Sequence, residues 1–316
     1  MTRTSSTIIA LAAVLACQGC DHARAPTELM SRASSFAYSG WSEPVNLGSS
    51  INTSANEQNA TLSKDGLSLY FTSNRSDGRG GLDIWVSRRS SADSPSWEPA
   101  ENLGSPVNST IADFAPNLSH DGHLLLFSSN RDGNNDIYVS HRANKFDDFG
   151  WGEPVKLGPG VNTADMEQAP MYLQSAEDGS ANLYFNRGSN ALEQSDIYSA
   201  AVKRDGETLG PAVLVAELSV AGATDAAATV RKDGKEVFFF STRSGSVGGI
   251  DLWTSTRQNV HDAWSGPVNV AALNTTSNDQ TPSLSFDGLT LVFSSNRPGS
   301  VGNDIWISTR SSSGGE

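Results

Sequence analysis

The chain has 316 residues, a formal net charge of -13, 18% charged residues, 29 glycines and 13 prolines. That length holds one large all-β domain or two ordinary ones, and the Gly and Pro content foretells many turns. So acidic a chain is excluded as a nucleic-acid partner, because a phosphate backbone needs a basic surface.

In chain order, residues 1–16 read as a signal peptide. Arg3 gives the positive start, and Ile8 to Ala16 is an uncharged apolar run. It is too short for a membrane-spanning helix, which takes about 20 apolar residues. Val14-Leu15-Ala16-Cys17 resembles the lipobox of bacterial lipoproteins. Cys17 is therefore the expected lipidation site, with Cys20 as the alternative. Both cysteines of the chain lie here, so none remains for a disulfide or a thiolate metal site. Residues 17–40 carry Pro, Ser, Thr and Ala with no apolar period and read as an acylated tether. The expected location is the bacterial cell envelope, lipid-anchored. Gln18 after Cys17 points to the outer membrane, on its periplasmic or surface face. Asp21 after Cys20 resembles an inner-membrane retention signal.

A repeat then fills the chain. Leu62-Ser63-Lys64-Asp65-Gly66 leads to Leu69-Tyr70-Phe71-Thr72-Ser73-Asn74-Arg75 and Asp83-Ile84-Trp85. The same run returns from Leu118 to Tyr138 and from Leu284 to Trp306. Looser copies carry Asp178-Gly179, Arg187 and Asp196, then Asp233-Gly234, Arg243 and Asp251. The period is about 55 residues, within reach of a four-stranded propeller blade. In each copy strand a runs to the Asp-Gly turn, strand b ends at Asn-Arg, strand c opens on Asp, and strand d follows a Trp and a Pro. Pro belongs on an edge, so d is outermost. Trp41 to Gly48 is a d strand with no blade before it, and Asp304 to Arg310 a c strand with no d after it. The two complete one blade and remove an open sheet edge. The fold class is all-β, a five-bladed β-propeller over residues 41–310 closed by an N-terminal outer strand, with 311–316 a disordered tail.

Ser-x-Asp-Gly-x-x-Leu-Tyr-Phe-x-Ser-Asn-Arg followed by Asp-Ile-Trp-Val-Ser resembles the WD-repeat-like blade of the TolB-type propeller family. The likeness covers roughly residues 41 to 310 and recurs in every blade. It implies the fold strongly and the function weakly, since such propellers serve as periplasmic scaffolds and ligand-binding modules.

If Asp-Gly is a two-residue hairpin loop, paired residue numbers keep a constant sum along the ladder. Glu57 then faces Asn74, Asp113 faces Asn130, Asp225 faces Thr242 and Asp279 faces Asn296, each beside an arginine. Strand a lies nearest the axis, so one face gathers Glu57 and Arg75, Asp113 and Arg131, Glu167 and Arg187, Asp225 and Arg243, Asp279 and Arg297 around the channel mouth. The strand-c acids, Asp83, Asp136, Asp196, Asp251 and Asp304, start at the same end. These are the candidate binding residues, with arginines suited to carboxylate or phosphate. The competing reading is that each acid and arginine pair within the repeat and fix the hairpin ends. Blades three and four depart most from the pattern, with Thr208 in place of Trp and Ala226-Ala227-Ala228 in place of a Pro-containing run, so an asymmetric surface is expected there.

No Gly-x-Ser-x-Gly or His-Glu-x-x-His occurs, and no catalytic residue, metal site or cofactor is assigned. His120 and His123 read as hairpin decoration, and Asp132 to Asp136 as a solvated turn with some likeness to a calcium loop. The expected function is a monomeric, membrane-tethered propeller that binds an envelope protein or glycan without catalysis. The alternative is a glycan-processing hydrolase or lyase using channel carboxylates, for which paired carboxylates of unequal pKa are needed.

Overall fold

Each repeat becomes an antiparallel sheet whose strands are apolar on both faces, which is what lets sheets stack face to face around an axis. The computed structural model describes residues 38–174, 181–190, 193–203, 205 and 207–312. The signal peptide, Cys17, Cys20, the tether up to residue 37 and tail residues 313–316 lie outside them.

A short strand, β1 (Val45–Asn46), precedes the first blade. Blade 1 holds β2 (Glu57–Leu62), β3 (Ser68–Ser73), β4 (Asp83–Arg88) and β5 (Glu101–Asn102). Blade 2 holds β6 (Asp113–Leu118), β7 (Leu124–Ser129), β8 (Asp136–His141) and β9 (Val155–Lys156). Blade 3 has longer strands: β10 (Met166–Gln174), β11 (Ala181–Asn190), β12 (Glu193–Val202) and β13 (Val213–Leu214). Blade 4 holds β14 (Asp225–Val230), β15 (Glu236–Ser241), β16 (Asp251–Thr256) and β17 (Val268–Asn269). Blade 5 holds β18 (Asp279–Leu284), β19 (Thr290–Ser295) and β20 (Asp304–Thr309), and its fourth strand is β1. The innermost strands touch in the closed cycle β2, β6, β10, β14, β18 and back to β2.

Closure runs as the orphan strand requires. Val45 pairs with Ile307 and Asn46 with Trp306. Beyond the strand, Ser42 N–H donates to Thr309 O at 2.8 Å and Leu47 N–H to Ile305 O at 3.1 Å. Pairing reaches past 41–310 at both ends, with Ser39 N–H on Ser311 O at 2.8 Å and a bridge between Tyr38 and Ser312.

The core is one apolar cluster per blade interface. Tyr70, Ile84 and Val86 of blade 1 meet Leu125, Phe127 and Tyr138 of blade 2. Leu69, Phe71 and Trp85, from the other face of the same sheet, meet Val292 and Ile305 of blade 5. Burying each such side chain is worth about 1.5–3 kcal/mol. The strand-c aromatics Trp85, Tyr138 and Trp253 are buried in these interfaces, as their position in the repeat implies.

A second repeated device braces the outer strands. Arg89, Arg142, Arg257 and Arg310, each just past strand c, donate through Nε to the glycine carbonyl of their own Asp-Gly turn at 2.6–2.8 Å. Each guanidinium also stacks on the Trp that precedes strand d: Trp97, Trp151, Trp264 and Trp41, at 4.2–4.7 Å from the ring centroid. Such cation–π contacts contribute about 0.5–2 kcal/mol, more as the site is desolvated. Blade 3 lacks the pair: Val202 and Thr208 bridge where Arg142 and Trp151 bridge in blade 2.

Candidate functional site

The acid ends of the blades come first, because they carry the ten candidate residues. The residue two past each strand-a acid, Asn59, Ala115, Ala169, Ala227 and Thr281, has φ of 48–53°. Each sits at a β-bulge, where the ladder shifts by one residue. The constant-sum pairing fails at this point. Glu57 faces Ser73, Asp113 faces Ser129, Asp225 faces Ser241 and Asp279 faces Ser295. In blade 3 Glu167 faces Arg187 directly. A bulge inserts one unpaired residue and leaves little mark on the apolar pattern. The Asp-Gly turn differs as well: Gly66 N–H bonds to Ser63 O at 2.9 Å and Ser63 N–H to Ser68 O at 2.8 Å. A four-residue loop therefore joins β2 to β3, and the aspartate caps it, accepting from Ser63 Oγ–H and Leu67 N–H.

The five strand-a acids expose no surface (0%). Arg75 holds Glu57, Arg131 holds Asp113, Arg187 holds Glu167, Arg243 holds Asp225 and Arg297 holds Asp279, at 2.6–3.2 Å. A backbone N–H before each strand donates to the same carboxylate, from Thr53, Ser109, Thr163, Val220 and Thr275. Every arginine donates further to a loop carbonyl: Ile51, Val107, Val161, Leu218 or Leu273. Each also stacks on the strand-c aromatic at 4.6–5.3 Å. A buried acid with this many donors is a fixed structural charge, and its arginine has few donors left for a ligand.

The strand-c acids are buried alike in four blades. Asp83, Asp136, Asp251 and Asp304 each accept from a strand-d side chain: Asn102, Lys156, Asn269 and Asn46. Blade 3 breaks the rule. Its strand d offers Leu214, which pairs with Tyr198, and Asp196 is half-buried with no hydrogen-bond or ion-pair partner among the described residues. Burial first, and the Asp225 carboxylate second, push its carboxyl above the usual range.

The axis itself is narrow and uncharged. Its waist, a cavity of about 40 Å³, is walled by the bulge residues with Pro116, Asn117, Pro170, Pro282 and their neighbours. No carboxylate lines it among the described residues.

Beyond the waist, on the side of the Asp-Gly turns, lies a second cavity, also of about 40 Å³. Tyr172, Val230, Leu284 and Phe286 supply apolar and aromatic wall, while Asn117, Gln174, Thr229 and Ser283 supply amides and hydroxyls. Lys232 and His120 stand at its rim. They occupy one position of the repeat, the residue before Asp-Gly, which is Lys64 in blade 1, His120 in blade 2, Lys232 in blade 4 and Phe286 in blade 5. His120 lies edge-on to Phe286 with centroids 5.4 Å apart, and its buried Nε2 has no hydrogen-bond partner among the described residues. Burial, then Lys64 and Lys232, hold its pKa below the usual histidine value. His120 thus faces a pocket, whereas His123 is turned away to the Arg142 carbonyl at 2.9 Å. Asp132, in the calcium-loop-like run, accepts from Tyr138 Oη–H at 2.5 Å. Among the described residues no group of His, Cys, Asp and Glu is placed to hold a metal ion.

Five closed four-stranded blades define the class: the chain is a five-bladed β-propeller. Solved structures similar to it include the endo-arabinase from Bacteroides thetaiotaomicron, at TM-score 0.57 and 18% identity over 85% of this chain and 97% of that one. The native arabinanase of Bacillus subtilis matches at TM-score 0.57 and 14% identity, over 83% of this chain and 96% of that one. TolB from Agrobacterium tumefaciens matches at TM-score 0.48 and 19% identity, over 80% of this chain and 76% of that one. The matches with the higher TM-scores are glycoside hydrolases. At these identities the likeness is one of fold. No protein-family model matches the chain, and no curated protein sequence matches it.

Proposed function

We propose that this chain binds a glycan in the pocket at the Asp-Gly side of its channel, without cleaving it, while held at a bacterial envelope membrane by a lipid on Cys17 or Cys20. The observation that carries the reading is the pocket wall. The rings of Tyr172, His120 and Phe286 line it beside the amides and hydroxyls of Asn117, Gln174, Thr229 and Ser283. Sugars present apolar CH faces and rings of hydroxyls, and sites for small ligands combine apolar walls with a few placed polar groups in this way. The ten acid and arginine candidates of the other end are committed to one another and take no part in it. Titration of the full chain with envelope oligosaccharides, followed by calorimetry, tests the site. Phe286→Ala and His120→Ala should weaken binding with little change in melting temperature. Binding that survives both substitutions places the ligand elsewhere and ends this reading. Acylation is tested apart, by mass spectrometry of the N-terminal peptide. An unmodified N-terminus beyond Cys20 excludes both cysteines.

The second reading is a glycan-processing enzyme, which the likeness to propeller glycoside hydrolases favours. One local observation supports it. Asp196 and Asp225 meet at the border of blades 3 and 4 with unequal character, the first raised toward its acid form and the second paired with Arg243. A carboxyl raised toward its acid form beside a second carboxylate can divide acid and base roles with it. Release of reducing sugar from arabino-oligosaccharides, abolished by Asp196→Asn in a folded protein, would establish it. Turnover unchanged in that variant, or no turnover at all, counts against it.

A further inference from the structure

The pocket does not end at the channel. Leu118 and His120 also line an open groove that runs outward between the turns of blades 1 and 2. Its walls include Lys64, His123, Lys145 and Phe146, the last 75% exposed with Lys145 Nζ 4.9 Å from its ring centroid. An aromatic ring this bare at the far end of a groove is a ready stacking surface. The chain's lysines cluster on this side. Lys64, Lys145 and Lys232 line the pocket or the groove, while Lys203, ion-paired with Glu207, and Lys235 flank strand ends at the same face. Lys156, the sixth lysine, is bound to Asp136 at the other end. Most aspartates of these turns are tied down: Asp65 and Asp121 accept from Ser63 and Ser119 and from a backbone N–H of their own turn. Asp65 and Asp121 line the groove together with Lys64 and Lys145, whereas among the described residues Lys232 is the one charged side chain of the pocket wall, a local positive site that favours an anion in a chain of net charge -13.

We infer that the ligand is an acidic oligosaccharide of the uronic acid class, laid along the groove from the rim at His120 and Lys232 past Lys64 to Phe146. The inference rests on the glycan-binding reading and deepens it. Carboxylates meet Lys232, Lys64 and Lys145 as point charges that tolerate several ring orientations. The sugar faces stack on Phe286 and Phe146. The groups facing His120 are Lys64 and Lys232 from neighbouring turns and Asp121 from its own, so a bound carboxylate would offset the two lysines that disfavour a proton on the ring.

The test uses the full chain with tetragalacturonate and with its fully methyl-esterified form, which keeps the shape and removes the charge. The acid form should bind about tenfold or more tightly and weaken with salt, as a contact through several charges does. The double variant Lys64→Gln, Lys232→Gln should remove that advantage while leaving the ester's affinity as it was. Phe146→Ala should weaken the tetramer about three- to tenfold and the monosaccharide not at all. The His120 pKa, followed by NMR, should rise on binding the acid form only. Equal affinity for acid and ester overturns the inference and leaves the glycan reading standing. Binding of neither form, or of an oligoglutamate peptide in preference to both, overturns the two together.

Discussion

The two ends of this propeller are built from the same five hairpins yet behave differently. At the acid end, five blades repeat one solution: acid, arginine, loop carbonyl and aromatic ring, closed on themselves. At the turn end, one position of the repeat holds Lys64, His120, Lys232 and Phe286, and the pocket opens between them. The repeated charges look more like chemistry in the sequence and are the less available for it. A group present in every blade serves what every blade needs, which is to hold strand ends together; a ligand is read by the differences.

Ring closure underlies both ends, so removing it is the severest way to break the comparison. Deleting residues through Gly48 takes away β1, Trp41 and Leu47. At about 1.5–3 kcal/mol per large side chain, against a whole-domain stability of about 5–15 kcal/mol, cooperative melting should be lost and the protein should aggregate. Deletion through Gly40 removes Tyr38 from its stack on Arg310, 4.0 Å from the ring centroid, and should lower the melting temperature by only a few degrees. Equal melting of the two would mean that β1 does not close the ring.

Breaking one acid-end pair comes next. Asp279→Ala leaves Arg297 buried without its carboxylate, which costs about 3–5 kcal/mol. Denaturant titration should show that loss with no change in ligand affinity per folded molecule. Lys232→Ala should do the reverse, changing stability by about 0.5 kcal/mol or less while weakening the ligand. If the acid-end variant loses ligand instead, the assignment of roles to the two ends is inverted.

The smallest effect belongs to Asp196, the acid that escaped the pattern. Its carboxyl is raised in the fold, so its favourable contribution is complete below the ordinary carboxylate pKa and is lost as pH rises through the raised value. Asp196→Asn should therefore melt higher than the parent at pH 7, with the gain shrinking as pH falls through that value. Leu214→Asn, which supplies the donor that Asn102 and Asn269 give their own blades, should lower the Asp196 pKa. An Asp196 pKa unmoved in that variant would show that the missing partner is not the cause of its behaviour.

Much of this architecture was legible before any coordinates. The orphan outer strand at Trp41 to Gly48 told that the ring closes, and the Trp and Tyr of strand c told which faces meet between blades. The ten acid and arginine candidates were placed at the correct end but one residue out of register in four blades, because a bulge with φ near 50° at Ala115 or Thr281 changes the pairing and not the apolar alternation. His120 is legible as part of its hairpin, and only the structure shows that it also lines the channel pocket. Its distinguishing mark was that the residue before Asp-Gly varies from blade to blade while the turn stays constant. The arginine and tryptophan braces, such as Arg142 on Trp151, were in plain view as residue types. Nothing local says that a residue past strand c returns over its own turn.

By itself the sequence determined the number of blades, the order of strands within each and the way the ring shuts, because these follow from periodicity, turn chemistry and unpaired edges, all local or countable. Which charges are spent on structure and which stand free was decided only in three dimensions. Burial and hydrogen bonding depend on neighbours 18 residues away, as for Asp113 and Arg131, or on another blade, as for His120 and Phe286. A carboxylate in a sequence is the same letter whether it ends enclosed by four donors, as Glu57 does, or, like Asp196, by none among the described residues.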